Sequence, residues 1–143
     1  MKNFIHLLKL KTMVFKNIKN NEKTFLFRLS QNLKKGSFKL HLIIDDDIKP
    51  HNHPWDFTSL ILFGGYKETS YLYDKEKDTK YEFSRQEFGW LSKNIKKSNT
   101  YHLITLRRLF GIKIPCLTIG YYSEKKQLCS LCQELGYCKS NKK

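Results

Sequence analysis

The sequence predicts an all-β protein, a sandwich or barrel built from short strands. Short apolar or alternating stretches follow one another closely, with Gly, Pro, Asn and Asp turn signals between them. Aromatic content is high and dominated by Tyr and Phe, which favour strands. At 143 residues the expected organisation is one domain over 1–143. Such a chain buries about two-thirds of its unfolded surface and needs no disulfides to fold.

Residues 3–15 carry Phe4, Ile5, Leu7, Leu8, Leu10, Val14 and Phe15, which fits a short helix or an edge strand equally well. Lys16 to Lys23 reads as an Asn-rich turn. Thr24 to Leu29 reads as a strand, and Asn32 to Ser37 as a loop. Phe38 to Ile44 alternates, with Phe38, Leu40 and Leu42 opposite Lys39, His41 and Ile43. Asp45, Asp46 and Asp47 then break the strand. Ser59 to Phe63 is apolar after its serine, as in a strand buried on both faces. Gly64 and Gly65 permit a bend. Tyr66 to Tyr73 alternates, Asp74 to Lys80 is a charged hairpin loop, and Tyr81–Phe83, Phe88–Leu91, Tyr101–Leu106 and Ile112–Tyr122 complete the strands.

The formal net charge is +14. A nucleic-acid partner is one reading, since basic proteins gain affinity by releasing counterions from phosphates. The lysines are scattered, however, and Asn, Ile and Lys are abundant throughout. A solvated basic surface, biased by the AT-rich genome of a virus, phage or low-GC bacterium, explains the charge more simply. No run of about 18 uncharged apolar residues is present, so no membrane partner is expected. The N-terminus lacks a clean apolar core and a cleavage site, so the expected location is the cytoplasm, the host's if the source is viral.

The most chemical segment is His51-Asn52-His53-Pro54-Trp55-Asp56-Phe57. Histidines at i and i+2 on an extended chain face the same side. Pro50 and Pro54 bracket them and hold their neighbours extended. His102 follows at the head of a later strand. Three convergent neutral imidazoles suit Fe, Zn, Ni or Cu.

The run from His51 through Gly64-Gly65-Tyr66, with the lead-in LHLIIDDDIKP and His102 downstream, resembles the cupin superfamily. More narrowly it resembles small phage and bacterial cupins with a histidine pair, Pro-Trp and Gly-Gly-Tyr. The resemblance covers about residues 24–122 and is sharpest over 40–68. It implies a double-stranded β-helix, the jelly-roll barrel, and a possible homodimer. It places His51 and His53 on the two first-motif histidines and His102 on the second-motif histidine. Thr58 falls where that motif carries a glutamate; threonine is a poor ligand, so Thr58 is expected beside the ligands or in the pocket wall instead. Asp56 and Glu68 are the alternative carboxylates. A three-histidine set resembles the thiol dioxygenases, which favours Fe(II), with Zn, Mn or Ni as alternatives.

Around these residues, His41 is either a partner to a ligand imidazole or a surface residue, the latter preferred. Trp55, Tyr66 and Tyr101 are pocket candidates, while Phe57 and Trp90 read as packing. Arg107-Arg108 is the candidate grip for an anionic substrate, with Arg107 the inward one. His6 reads as structural. Cys129, Cys132 and Cys138 have spacing that can bind a second metal. The same segment carries a helical stripe of Leu128, Leu131 and Leu135, so a short helix over about 124–138 with reduced cysteines is the simpler expectation. No residue is assigned a catalytic role.

The functional expectation is a metal-binding cupin, an oxygenase or related enzyme acting on a small molecule or side chain. The alternatives are a non-catalytic jelly roll that binds a ligand or partner, and a nucleic-acid-associated basic protein.

Overall fold

The computed structural model describes residues 13–20, 23–74 and 76–126. His6, Cys129, Cys132, Cys138 and most of the expected C-terminal helix lie outside them. Residues 123–126 follow the last strand without helix.

Among the described residues there are eleven strands: β1 (Val14–Asn20), β2 (Lys23–Asn32), β3 (Ser37–Ile43), β4 (Phe57–Phe63), β5 (Tyr66–Asp74), β6 (Thr79–Phe88), β7 (Lys93–Lys96), β8 (Tyr101–Leu106), β9 (Arg108–Leu109), β10 (Ile112–Lys113) and β11 (Cys116–Tyr122). One sheet runs β1-β2-β3-β11-β4-β7 and the facing sheet β6-β5-β8, with β9 and β10 as a separate hairpin. All pairings are antiparallel. The order places the last long strand between β3 and β4, the crossover pattern of a jelly roll. The two sheets are not joined into a closed barrel.

Alternation decides what each strand gives the interior. In β3, Ser37, Lys39, His41 and Ile43 point inward, while Phe38 and Leu42 face out. Register aligns these inner residues in rows. Leu26, Ile43 and Cys116 form one, Arg28, His41, Thr118 and Ile61 the next, and Ser30, Lys39, Gly120 and Ser59 a third. The interior is therefore apolar at one end and polar at the other. Phe25, Leu26, Ile43, Ile61, Tyr66, Phe88, Ile104, Leu106 and Cys116 make the apolar core. Burying each large side chain there contributes about 1.5–3 kcal/mol.

Two glycines hold β4 and β11, neighbours in the six-stranded sheet, at close quarters. A Cβ at Gly120 would lie 2.5 Å from the Thr58 carbonyl oxygen, so β11 approaches β4 only without one. Gly64 has φ +73°, and its Cβ would lie 2.2 Å from the Pro115 oxygen. The bend there turns the chain from β4 into the opposite sheet.

Several expectations need correction. The Asn-rich stretch after Lys16 is not a turn but most of β1, which forms the sheet edge and pairs along β2. At an edge, polar residues meet water on one side at little cost. β4 is not buried on both faces: Phe57, Ser59 and Ile61 are inside, while Phe63 is exposed. Phe88–Leu91 is no strand, because β6 runs unbroken to Phe88 and Leu91 takes positive φ in the turn that follows. The Ile112–Tyr122 strand is interrupted before Cys116, where Pro115 lacks the amide for a central ladder. β7 was not foreseen, since its lysine-rich sequence hides the inward Asn94 and Lys96.

Ile61 is fully buried at the centre of the core. Ile61→Ala is expected to cost about 2–5 kcal/mol, read as a lower denaturation midpoint at unchanged m-value. A midpoint within error of the parent would show that the core is not packed around this side chain.

Candidate metal centre

The three histidines meet, though not as a strand pair. The backbone around His51 forms a single bridge to His102 instead of a strand. His51 N–H donates to the His102 carbonyl at 2.9 Å and His102 N–H to the His51 carbonyl at 2.8 Å. The aspartate run prepares this bridge. Asp47 N–H donates to the Ile104 carbonyl, and the Asp47 carboxylate accepts from Ile104 N–H at 2.7 Å. The Asp46 carboxylate accepts from Leu106 N–H at 2.7 Å. These carboxylates thus serve as strand acceptors and strap the loop along the free edge of β8.

The ring centroids of His51, His53 and His102 lie 4.8–5.0 Å apart. One nitrogen from each falls within 4.8 Å of the others. His53 Nε2 and His102 Nε2 are 2.8 Å apart. Two imidazole nitrogens each about 2.0–2.1 Å from one ion and at right angles to each other would stand about 2.9 Å apart, so this spacing fits a shared divalent ion. Neutrality fits as well. Burial and the neighbouring His102 push His51 down to about 3, and burial holds His53 well below the usual histidine range.

The outward nitrogen of His51 is also set. His51 Nδ1 lies 3.3 Å from the Lys49 carbonyl, which can only accept, so the proton sits on Nδ1 and the Nε2 lone pair faces inward. His102 Nδ1 faces Glu68 Oε1 at 3.4 Å. The two atoms are close enough to attract electrostatically, but among the described residues both are buried without a hydrogen bond.

Glu68 therefore stands behind a candidate ligand, on the side away from the cluster. It is 1% exposed and held by Asn94 Nδ2 at 2.6 Å and by the Lys96 ammonium. Burial raises its pKa, but the His102 and Lys96 contacts outweigh this and leave it at about 2. Lys96 also donates to Ser70 at 3.0 Å. Asp56 turns elsewhere, accepting from Ser98 N–H and pairing with Lys126 and Lys97. Thr58, expected in the pocket, points instead to the outer face, since its neighbours Phe57 and Ser59 take the inner one, and it does not line the cavity.

A cavity of about 50 Å³ opens beside the histidines. At about 10–15 Å³ per water it holds about four waters or a ligand core of similar size. His51, His53, His102, Trp55, Phe57, Tyr66, His41 and Arg28 are among its lining residues. Trp55 stacks nearly parallel on His53, and Phe57 stacks on Tyr122. Phe57 thus both packs and lines the cavity.

His41 is buried, contrary to the preferred surface reading. The register places it on the inner face of β3, opposite Arg28 and Thr118. Its Nε2 accepts from Arg28 Nε at 2.8 Å, which puts the proton on Nδ1, facing the Tyr122 hydroxyl at 3.2 Å. Tyr101 does not line the cavity but packs against Tyr73. Arg107 lies beside Gly65 and Gly89 and near Glu87, and Arg108 pairs with Asp46, so neither reaches the cavity. Trp90 is 73% exposed and is not packing. The cavity's arginine is Arg28, which the sequence reading passed over as an ordinary strand residue. Its signal was an arginine on the strand that pairs with the one bearing His41.

No protein-family model matches the chain, and no curated protein matches it. Solved structures do. Fe(II)-HppE with the alternative substrate (S)-1-HPP superposes with a TM-score of 0.57 at 9% identity, over 76% of this chain and 55% of that one. Oxalate decarboxylase from Lactobacillus farciminis, as a formate complex, gives 0.55 at 10% identity, over 83% and 32%. Drosophila melanogaster CENP-C bound to CAL1 gives 0.55 at 10% identity, over 78% and 76%. The chain thus spans about half the length of HppE. Among the described residues no helix is long and apolar enough to cross a membrane. The all-β architecture and these likenesses give the chain a cupin-type jelly-roll fold.

Burial, with the Arg28 and Lys39 charges, holds His41 well below the usual histidine range. The unfolded chain binds a proton there near pH 6.5 that the folded chain does not. This contribution to stability is present above that pH and lost as pH falls below it. His51 has the same sign, while Asp47, raised to about 7 chiefly by burial, has the opposite sign. His41→Gln keeps an acceptor for Arg28 and a donor for Tyr122. The drop in melting temperature between pH 7 and pH 4.5 is expected to be smaller in this variant than in the parent. Equal drops would mean that His41 already titrates normally in the folded state.

Proposed function

We propose that the protein is a divalent-metal cupin, with His51, His53 and His102 as ligands, acting as an oxygenase or related enzyme on a small molecule or side chain. The carrying observation is a set of three clustered imidazoles beside a cavity, one with its outward nitrogen on a carbonyl and one with its outward nitrogen facing a carboxylate. Imidazole ligands suit Fe, Zn, Ni or Cu, and the resemblance to the three-histidine thiol dioxygenases is what favours Fe(II), with Zn, Mn or Ni as alternatives. Such an ion leaves positions open for substrate and oxygen and polarises or activates what binds there.

The chain's own residues supply the rest. The His51–His102 bridge fixes the separation of two ligands. Lys49 holds the His51 ring in the tautomer that ligation needs, and Glu68 places a carboxylate behind His102. Trp55, Phe57 and Tyr122 give the cavity an apolar wall, and Arg28 gives it a cation. The substrate expected from this lining is small and anionic, with a carboxylate or similar group drawn to Arg28.

A second reading keeps the fold without the chemistry, as a jelly roll that binds a partner. CENP-C, the neighbour of most similar length among the three, is bound to CAL1 in its structure. The outer sheet face here exposes Phe38, Phe63, Ile95, Ile119 and Tyr121, which suits a protein contact. On this reading the histidines are dispensable.

Metal content separates the two. Untagged protein purified from metal-supplemented medium is expected to carry close to one equivalent of a divalent metal, and His51→Ala/His53→Ala almost none at a matching circular dichroism spectrum. Equal and negligible metal in both proteins would remove the first reading.

A further inference from the structure

The inner face of β3 carries a lysine that the metal reading does not use. Lys39 is 7% exposed. Its Nζ lies 3.1 Å from the centre of the Trp55 ring and 4.6 Å from that of Tyr122. The guanidinium carbon of Arg28 lies 5.7 Å from the same indole. Gly120 is its neighbour across the register, so the residue directly opposite it on β11 has no side chain. Trp55, Tyr122 and Arg28 all line the cavity, so the amine lies against residues of the cavity wall without lining it itself.

What faces Lys39 from each side is known. β2 brings Arg28, β1 brings Lys16, the segment after β11 brings Lys125, and β11 brings Tyr122. Among the described residues no carboxylate pairs with it. Burial first, then these like charges, push its ammonium down to about 6. The rings favour the charged form by cation–π attraction, but by only about 0.5–2 kcal/mol. A lysine desolvated in an apolar pocket beside other cations is the arrangement that makes an amine nucleophilic at neutral pH.

We propose that Lys39 is a carbonyl-reactive amine that forms an imine with a small carbonyl acid, whose carboxylate is drawn by Arg28 and Lys125. The lone pair on Nζ attacks the carbonyl carbon, and the Nζ proton passes to the oxygen. Loss of water from this carbinolamine gives the imine, with no oxidant or reductant consumed. The site needs no metal and stands whether or not the histidines bind one.

The test uses the whole metal-free protein, treated briefly at pH 7 with glyoxylate and cyanoborohydride and then mapped by peptide mass spectrometry. An ordinary lysine is neutral in only about one molecule in 2,500 at this pH, so Lys39 is expected to gain its carboxymethyl group at least about tenfold faster than the exposed lysines. Its labelling rate should rise with pH through about 6 and then level. Acetaldehyde serves as the uncharged comparator and should show a smaller ratio of Lys39 to surface labelling. Lys39→Met should lose the adduct and leave surface labelling unchanged. Its melting temperature should exceed the parent's at pH 7, with the gap narrowing as pH rises toward 10, because only the parent recovers stability as its unfolded lysine also becomes neutral. Labelling confined to exposed lysines, or reaching Lys39 only above about pH 9, would overturn the reactive amine. An equal ratio for the two aldehydes would overturn the acid as its partner.

Discussion

The two backbone hydrogen bonds between His51 and His102 are the constraint on which the site depends. They join a loop that lacks regular secondary structure to a strand that has it. Without them the loop could place His51 and His53 anywhere over the mouth of the fold. With them, two of the three imidazoles are fixed by main-chain geometry, and the third follows within two residues. The aspartate carboxylates extend this pairing by occupying the N–H groups of Ile104 and Leu106. An edge that would otherwise be open is thereby closed.

The polar half of the interior follows from the same logic. Buried lysine, arginine, glutamate and histidine are costly unless paired. Here most are paired: Glu68 with Lys96, Asn94 and His102, and His41 with Arg28 and Tyr122. These pairs stabilise the fold little compared with the apolar end. Their contribution is to fix proton positions, which is what ligation and substrate orientation require. Among the described residues Lys39 is an exception, since its neighbours are rings and cations.

Much of this was legible in the sequence. The all-β class came from alternation and turns, and the strand at Tyr101–Leu106 was read to the residue. The meeting of His51, His53 and His102 was readable from motif and spacing. What escaped depends on register between strands far apart in the chain. Nothing local in Arg28 says that it will lie opposite His41, and nothing in Glu68 says that it will stand behind His102 rather than beside it. β7 escaped because its inward residues are Asn and Lys, which normally mark a surface. The direction of Thr58 followed from simple alternation once Phe57 was placed inside.

If His51, His53 and His102 hold the ion, three imidazoles and no sulfur meet at it. X-ray absorption on the protein loaded with one equivalent of zinc tests it directly. The expected first shell is nitrogen and oxygen at about 2.0–2.1 Å, with the multiple scattering of three imidazole rings. A shell containing sulfur at about 2.3 Å, from Cys116 or the C-terminal cysteines, or a shell without imidazole scattering, would contradict it.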